Sequence, residues 1–272
     1  MIQGIKKGRF SGKGKVFVIQ AGQIGFCAVL VLTAARTTFA AHPLITDDAG
    51  TVGKGKVQLE LNTQFDFESE GSVKEESSEL AVTLCFGLND KTDLVFGIPY
   101  QWITGKENGV KVFDENGFGD AGLELKWRFF EKNGWSLALK PGFSISTGDK
   151  DKGLGTGKVN YSLYFITTFE KGKTALHFNA GYGRNENDFD EEEDLWHLSL
   201  ATETGLTEKL ALVVNIGAEK NPDKEAESDP VFLLAGFIYS LTENTSVDFG
   251  FKVGLNDEET DQSFLAGLTW CF

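Results

Sequence analysis

Ionisable side chains recur at alternate positions within apolar stretches of this chain, so they share one face of the strands that such alternation predicts. The residues expected on that face are Glu60, Asp66, Glu124, Lys126, Arg128, Lys140, Glu203, Glu219, Asp248 and Lys252. If the strands enclose a lumen, opposed charges across it would produce a transverse field that orients polar solutes. The alternative, weighted equally, is that these charges pair with one another and close the interior.

Two adjacent carboxylates, Asp47 and Asp48, lie ahead of the first predicted strand in a segment without strand periodicity, residues 41–54. We interpret this segment as a periplasmic arm or an arm that enters the lumen. The fourth and fifth predicted strands carry a basic wall of Lys126, Arg128 and Lys140. Docking of the two carboxylates onto that wall would make the arm a plug.

Catalysis by hydrolysis requires a base within hydrogen-bond reach of a nucleophile or a water molecule. The three histidines, His42, His177 and His197, lie in separate segments, and the two on predicted strands should lie at different heights. His177 is expected beside Glu203 as a buried ion pair with no nucleophile nearby. The sequence therefore does not predict an enzyme.

Cysteine usage gives no sign of a metal site, a cofactor site or a disulfide framework. Beyond the N-terminal forty residues only Cys85 and Cys271 remain. Both are expected near the periplasmic end, on strands separated by a third strand. Two strand spacings of ~4.8 Å are too far for an undistorted bridge.

The N-terminal forty residues have the pattern of a secretory signal peptide, with a basic start, an apolar run over 16–35 and small residues at the cleavage site near Ala40. Their basic residues are Lys6, Lys7, Arg9, Lys13, Lys15 and Arg36, and they contain no acid. Removing residues 1–40 leaves 20 of the 26 Lys and Arg and all 40 Asp and Glu, a net charge of 20 − 40 = −20. A nucleic-acid partner is not expected, because phosphate binding needs a basic surface.

The remainder of the chain, residues 55–272, is a series of alternating stretches separated by turns. Twelve strands are predicted near 55–67, 79–88, 92–102, 119–130, 135–147, 157–169, 174–184, 195–206, 209–219, 230–241, 245–255 and 262–272. Tight turns alternate with longer connections at 68–78, 103–118, 148–156, 185–194, 220–229 and 256–261. An even strand number with short turns at one end and long loops at the other predicts an all-β, transmembrane antiparallel barrel in the bacterial outer membrane.

The last predicted strand carries apolar residues at alternate positions and ends on an aromatic residue. Phe264, Leu268, Trp270 and Phe272 are interpreted as the signal read by the barrel-assembly machinery. This strand should close the barrel by pairing with residues 55–67. Its apolar face, like that of the other strands, is expected to contact outer-membrane lipid.

Some inward positions are apolar or glycine. The apolar set is Phe130, Tyr164, Ile166, Phe232, Leu234 and Ile238, and it predicts either a path for apolar small molecules or, as the favoured alternative, packing against the arm. Inward glycines, among them Gly236, Gly250 and Gly267, leave room for a solute or a plug, or ease curvature.

The long connections are strongly acidic, most of all in residues 186–194, 223–229 and 257–261. Carboxylates in these outer loops could bind divalent cations, since Ca²⁺ and Mg²⁺ take oxygen ligands. No loop has the ligand spacing of an EF-hand, and a solvated acidic face is favoured.

Residues 42–51, His-Pro-Leu-Ile-Thr-Asp-Asp-Ala-Gly-Thr, and residues 53–60 resemble the opening of the outer-membrane family named for the meta-pathway of phenol degradation. Residues 117–123 and 126–129 are similar to its Gly-Asp element and the strand that follows, and residues 140–142 to its next strand. The resemblance implies an outer-membrane pore for small molecules, with aromatic compounds among the candidates. It carries over no substrate residues.

These observations together predict a passive channel or transporter for small-molecule solutes. The alternative is a non-conducting cell-surface barrel whose acidic loops bind cations or a partner.

Overall fold

The computed structural model describes residues 42–272, so the predicted signal peptide lies outside the described residues. None of the helices in that part of the chain is long and apolar enough to cross a membrane. The strands are β1 Val57–Glu70, β2 Val73–Asn89, β3 Thr92–Glu107, β4 Val110–Phe118, β5 Ala121–Lys132, β6 Trp135–Ile145, β7 Asn160–Lys171, β8 Thr174–Arg184, β9 Asp194–Gly205, β10 Leu210–Glu219, β11 Val231–Ser240, β12 Thr245–Gly254 and β13 Gln262–Cys271.

A closed barrel forms because the first and last strands pair. β1 and β13 run antiparallel with Leu61 opposite Leu268. Beyond the end of β13, Val57 N donates to Phe272 O at 2.9 Å, and Phe272 N donates to Val57 O at 2.9 Å. The ring runs from β1 through β2, β3 and β5 to β13, which makes twelve barrel strands. The predicted fold class and its closure are confirmed.

Of the described strands, β4 is not part of the ring of twelve. It continues the line of β5 outward. β3 pairs with β4 in its upper part, from Tyr100 opposite Phe118, and with β5 in its lower part, from Gly97 opposite Gly122. Gly119 N donates to Pro99 O at 2.9 Å at the break between them. The prediction of a loop over 103–118 is therefore wrong. These residues form a hairpin that extends the barrel wall outward.

Residues 68–78, also predicted as a loop, are mostly strand. β1 and β2 stay in register up to Glu70 opposite Val73, with a turn at Gly71 and Ser72. Gly71 has φ +58°, a conformation that glycine adopts at low cost. Backbone pairing continued here although the side chains are polar, because both faces of a projecting hairpin can contact water.

The two faces of the barrel wall differ as the alternation predicts. On β1 the inward Gln58, Glu60 and Asn62 are buried, whereas the outward Phe65 and Phe67 are exposed. Exposed aromatics near strand ends include Trp102, Trp127, Trp135 and Trp270. Such an apolar outer surface with aromatic girdles is stable only against lipid.

One inward prediction fails because β5 contains a bulge. The register of β5 against β6 shifts between Arg128, opposite Ala138, and Phe130, opposite Leu137. The extra residue turns the following side chain to the other face. Phe130 was expected inside but is 42% exposed.

Candidate functional site

The lumen contains the N-terminal segment of the described chain. We call residues 42–54 the arm. The arm enters beside β12 and β13, follows the inner wall past β11, β10 and the strands β5 to β8, and leaves beside β3. Most of its residues between His42 and Val52 are buried.

The first anchor of the arm is His42. His42 Nδ1 lies 2.5 Å from Asp248 Oδ1, and both side chains are almost completely buried. The adjoining Pro43 lies against Gly236 and Gly250, where a Cβ would come within 2.8 Å and 2.6 Å of its ring atoms. These inward glycines therefore make room for the arm.

Two asparagines hold the backbone of the arm. Asn215 Oδ1 accepts from Ile45 N at 2.8 Å and from Thr46 N at 3.0 Å. Asn179 Oδ1 accepts from Asp47 N at 2.7 Å, and Asn179 Nδ2 donates to Asp47 O at 2.8 Å. Buried backbone groups need partners, and here side-chain amides replace a neighbouring strand.

Asp47 forms the centre of the site. Its Oδ1 accepts from Lys126 Nζ at 2.8 Å, and its Oδ2 accepts from Lys140 Nζ at 2.8 Å. The three side chains are between 1% and 4% exposed. Asp48 Oδ2 and Glu124 Oε2 lie farther off, each 3.7 Å from one of the lysines. Removing one partner of such a buried pair costs about 3–5 kcal/mol.

The pKa values of the two aspartates of the arm are shifted in opposite directions. Burial alone would raise the pKa of Asp47, but the charges of Lys126 and Lys140 hold it below its usual range. Burial raises the pKa of Asp48 to about 7, since it has one lysine at a longer distance and the negative Asp47 beside it. At neutral pH Asp47 is the fixed anion of the arm.

The second half of the arm is attached to neighbouring strands by single hydrogen bonds. Ala49 N donates to Thr168 Oγ1 at 2.9 Å, and the same hydroxyl lies 3.0 Å from His177 Nδ1. Val52 N donates to Asp93 Oδ2 at 2.9 Å. His177 therefore contacts the hydroxyl group that holds Ala49 of the arm. The expected ion pair of His177 with Glu203 is wrong, because within residues 42–272 these two side chains do not pair.

The inward apolar residues pack on the arm. Phe232, Leu234 and Ile238 form one buried cluster with Leu44. Ile166 forms another with Ala49 and Ala138, and Tyr164 packs against it. Of the two alternatives for this set, packing against the arm is what the structure contains, except at the exposed Phe130.

The remaining predicted lumen residues lie above or below the arm. Near the periplasmic end, Arg128 Nη2 donates to Asp90 O at 2.9 Å, so it takes no part in holding Asp47. Glu60 accepts from Asn62 at 3.2 Å. Glu203 is buried.

Toward the outer end, the charged residues pair with neighbours. Glu219 Oε2 lies 3.2 Å from His197 Nδ1, and Lys252 Nζ lies 2.9 Å from Glu259 Oε1. Asp66 accepts from Gln64 at 2.8 Å.

A pocket lies on the outer side of the arm, inside the wall formed by β7 to β10. Its lining includes Tyr164, Gly181, Arg184, His197, Glu219 and Lys220. Strand register places Lys140, Tyr164, Gly181, His197 and Glu219 side by side around the wall. The pocket is therefore adjacent to the lysines that hold Asp47.

Carboxylates of the acidic outer loops pair mainly with basic side chains. Asp188 contacts Lys150 Nζ at 2.8 Å and Lys158 Nζ at 2.9 Å, and hydrogen bonds from these lysines lower its pKa to about 2. Asp190 contacts Lys224 Nζ at 2.8 Å. Within residues 42–272, no three His, Cys, Asp or Glu side chains are grouped as metal ligands.

Comparison with known proteins gives a family and a fold. A family model described as "Putative MetA-pathway of phenol degradation" matches residues 42–272. The curated proteins contain no match. Among solved structures, the COG4313 outer membrane channel from Pseudomonas putida F1 is similar with a TM-score of 0.65 and 14% identity, over 83% of this chain and 98% of that chain.

Two porins have the same fold at greater distance. The KdgM porin has a TM-score of 0.52 and 7% identity, over 79% of this chain and 99% of that chain. The NanC porin has a TM-score of 0.51 and 8% identity, over 78% of this chain and 98% of that chain. Identities this low establish a common barrel fold alone.

Proposed function

This chain belongs to the family of the MetA pathway of phenol degradation, and from that premise we propose that it is an outer-membrane channel for the passive passage of small molecules, with the arm as its plug. The observation that carries the proposal is Asp47, buried at the centre of the lumen between Lys126 and Lys140. Twelve strands enclose more space than side chains alone fill in eight-stranded barrels. Here the arm occupies that space.

Passage through the lumen would require the arm to move. Its side chains and the wall around it are buried, and its attachments are hydrogen bonds, ion pairs and packing contacts that can reform. A segment held in this way can be displaced without unfolding the wall, because every wall strand keeps both neighbouring strands.

Aromatic or apolar compounds are the proposed solutes. The family description names phenol degradation, and the wall beside the arm presents Ile166, Leu234 and Tyr164 once the arm is displaced. Outer-membrane lipid is the proposed partner of the outer face, and the barrel-assembly machinery that of the last strand. No chemical step is proposed.

Planar-bilayer recording of the refolded protein tests the channel. We expect the double substitution Asp47→Asn and Asp48→Asn to raise the open probability or the single-channel conductance, because the arm loses both carboxyl groups that lie against Lys126. The matched control is the double substitution Asp149→Asn and Asp151→Asn in an outer loop, which removes the same charge away from the arm.

A folded barrel that stays silent in the wild type and in the arm variant would contradict the proposal. That result would support the non-conducting surface barrel, which the burial of the side chains around the arm also favours. If the protein does conduct, liposome swelling with sugars, amino acids and aromatic acids ranks the solutes that pass.

A further inference from the structure

The arrangement around Asp47 is that of a bound carboxylate. Each of its two oxygens accepts from a different ammonium group at 2.8 Å. Charge-assisted hydrogen bonds of this kind require only a carboxylate group, whatever carries it. We propose that Lys126 and Lys140 form a carboxylate-binding site of the channel, which Asp47 occupies while the arm is docked and a small organic carboxylate occupies once the arm is displaced.

The surroundings of the lysine pair define the rest of the ligand. Ala138 and Ile166 are fully buried beside Ala49 of the arm, and Tyr164 packs against the same cluster. The Tyr164 ring centroid lies 5.5 Å from Lys140 Nζ. An apolar or aromatic body next to a carboxylate would replace the contacts of Ala49, so the ligand class is monocarboxylates with a small apolar body.

The outer pocket lies directly beside the lysine pair. Tyr164 contributes to the lining of the pocket and also lies over Lys140, so its ring separates the pocket from the lysine pair. Gly181 is paired with Tyr164 on the neighbouring strand, and its missing side chain leaves room for the Tyr164 ring. The outer loops are acidic overall, but Arg184 and Lys220 lie at the pocket itself.

Exchange at the lysine pair conserves charge. One carboxylate leaves the two ammonium groups as another arrives, so the buried lysines keep a counterion throughout. A neutral solute of the same shape cannot replace Asp47 between the two lysines, because it would leave them without a counterion. This inference rests on the proposed channel function, since exchange matters only if the arm moves, but the binding site can be tested without measuring current.

The test uses the full-length protein with Asp47→Ala in detergent micelles, titrated calorimetrically with sodium benzoate and, separately, with neutral benzamide at matched ionic strength. We expect saturable binding of benzoate at least tenfold tighter than to the wild type, in which Asp47 competes, and no binding of benzamide. Asp149→Ala is the matched control and should behave as the wild type, because it removes one carboxylate from an outer loop, where Asp149 accepts from Asp151 N, away from both lysines.

A second substitution assigns the binding to the lysines. Adding Lys140→Gln to Asp47→Ala should weaken benzoate binding at least tenfold, and Lys126→Gln replaces it if the first double variant does not fold, as judged by heat-modifiable migration. Equal binding of benzoate and benzamide, or benzoate binding that survives both lysine substitutions, would overturn the inference.

Bilayer recording of Asp47→Ala separates this inference from the proposed function. A conducting variant that does not bind benzoate refutes the carboxylate site and leaves the channel standing. A variant that binds benzoate but does not conduct supports the site and refutes the channel.

Discussion

Pro43 lies against two glycines on neighbouring strands, and this contact explains why glycine is needed at position 250. A Cβ on Gly250 would lie 2.6 Å from Pro43 Cβ, and one on Gly236 would lie 2.8 Å from Pro43 Cγ. Both distances are too short for real side chains. The sequence left open whether inward glycines make room for a plug or ease curvature. Gly250 makes room for the arm, whereas at Gly236 the backbone oxygen of Phe249 on the neighbouring strand would come even closer to a Cβ than Pro43 does.

We expect Gly250→Ala to weaken docking of the arm by about 1–3 kcal/mol, because the added methyl group forces Pro43 and its neighbour His42 off the wall. Channel openings in planar bilayers should become about ten- to a hundredfold more frequent. The control is Gly122→Ala, on the inward face of β5, where a Cβ meets no atom within 4 Å. An equal frequency of channel openings in the two variants would show that the contact between Pro43 and Gly250 does not control opening.

The residues that hold the arm backbone, Asn179 and Asn215, were missed by the sequence reasoning. A signal was present, since Asn215 is the one polar residue in the run Leu210 to Ile216 of β10. An amide alone in an apolar strand suggests a specific buried partner. The sequence could not name that partner, because it lies 169 residues away, at Thr46.

At the scale of the elements, the break between β4 and β5 holds an outer loop in place. Asp120, at the break, accepts from Gly148 N at 2.9 Å and from Thr156 N at 3.0 Å. Leu154 of the same loop is 2% exposed and lies beside Gly117 and the break. The Gly-Asp motif therefore joins the projecting hairpin to the loop between β6 and β7.

Asp120→Ala should release this loop while the barrel wall stays intact. Each hydrogen bond from a backbone amide to this carboxylate contributes about 1–3 kcal/mol. Because Asp120→Ala removes them, hydrogen exchange at the amides of Gly148 and Thr156 should become about ten- to a hundredfold faster. Exchange followed by mass spectrometry or NMR checks this. Asp149→Ala, which removes only the bond to Asp151 N in the same loop, should leave those two amides unchanged, and similar exchange in both variants would contradict the role of Asp120.

At the scale of the whole molecule, the barrel depends on one non-local pairing. β1 and β13 are joined along ten residue pairs, and Phe272 adds two backbone hydrogen bonds to Val57 just beyond them. Closure leaves no barrel strand without a neighbour, which is what allows a sheet to span lipid. We therefore expect the last residues of this strand pair to affect assembly more than the lumen.

Deleting Phe272 should reduce the fraction of folded barrel several-fold, because closure loses both backbone bonds to Val57 and the terminal aromatic. Heat-modifiable migration of outer-membrane fractions measures that fraction. Phe249→Ala removes a similarly exposed aromatic, 52% against 59% exposed, from the middle of β12 and should assemble nearly normally. Remaining barrels should conduct as the wild type does; equal assembly of the two variants, or altered conductance of the truncated barrel, would refute this assignment.

The sequence by itself determined the wall of this protein. Alternation with a period of two predicted twelve strand positions, their lipid and lumen faces and the closure of β1 with β13, because these properties depend on local patterns and tight turns. The predictions were wrong at 68–78 and 103–118, where backbone pairing continues through polar residues, and at Phe130, which the bulge in β5 turns outward.

Only the tertiary structure decided what fills the lumen. Asp47 meets Lys140 across 93 residues and His42 meets Asp248 across 206. Which inward side chains meet depends on the stagger of twelve strands and on the path of a segment without periodicity, and no local pattern encodes either. The sequence could state that a carboxylate pair and a basic wall exist; their placement in one buried site, with Arg128 outside it, required the closed barrel.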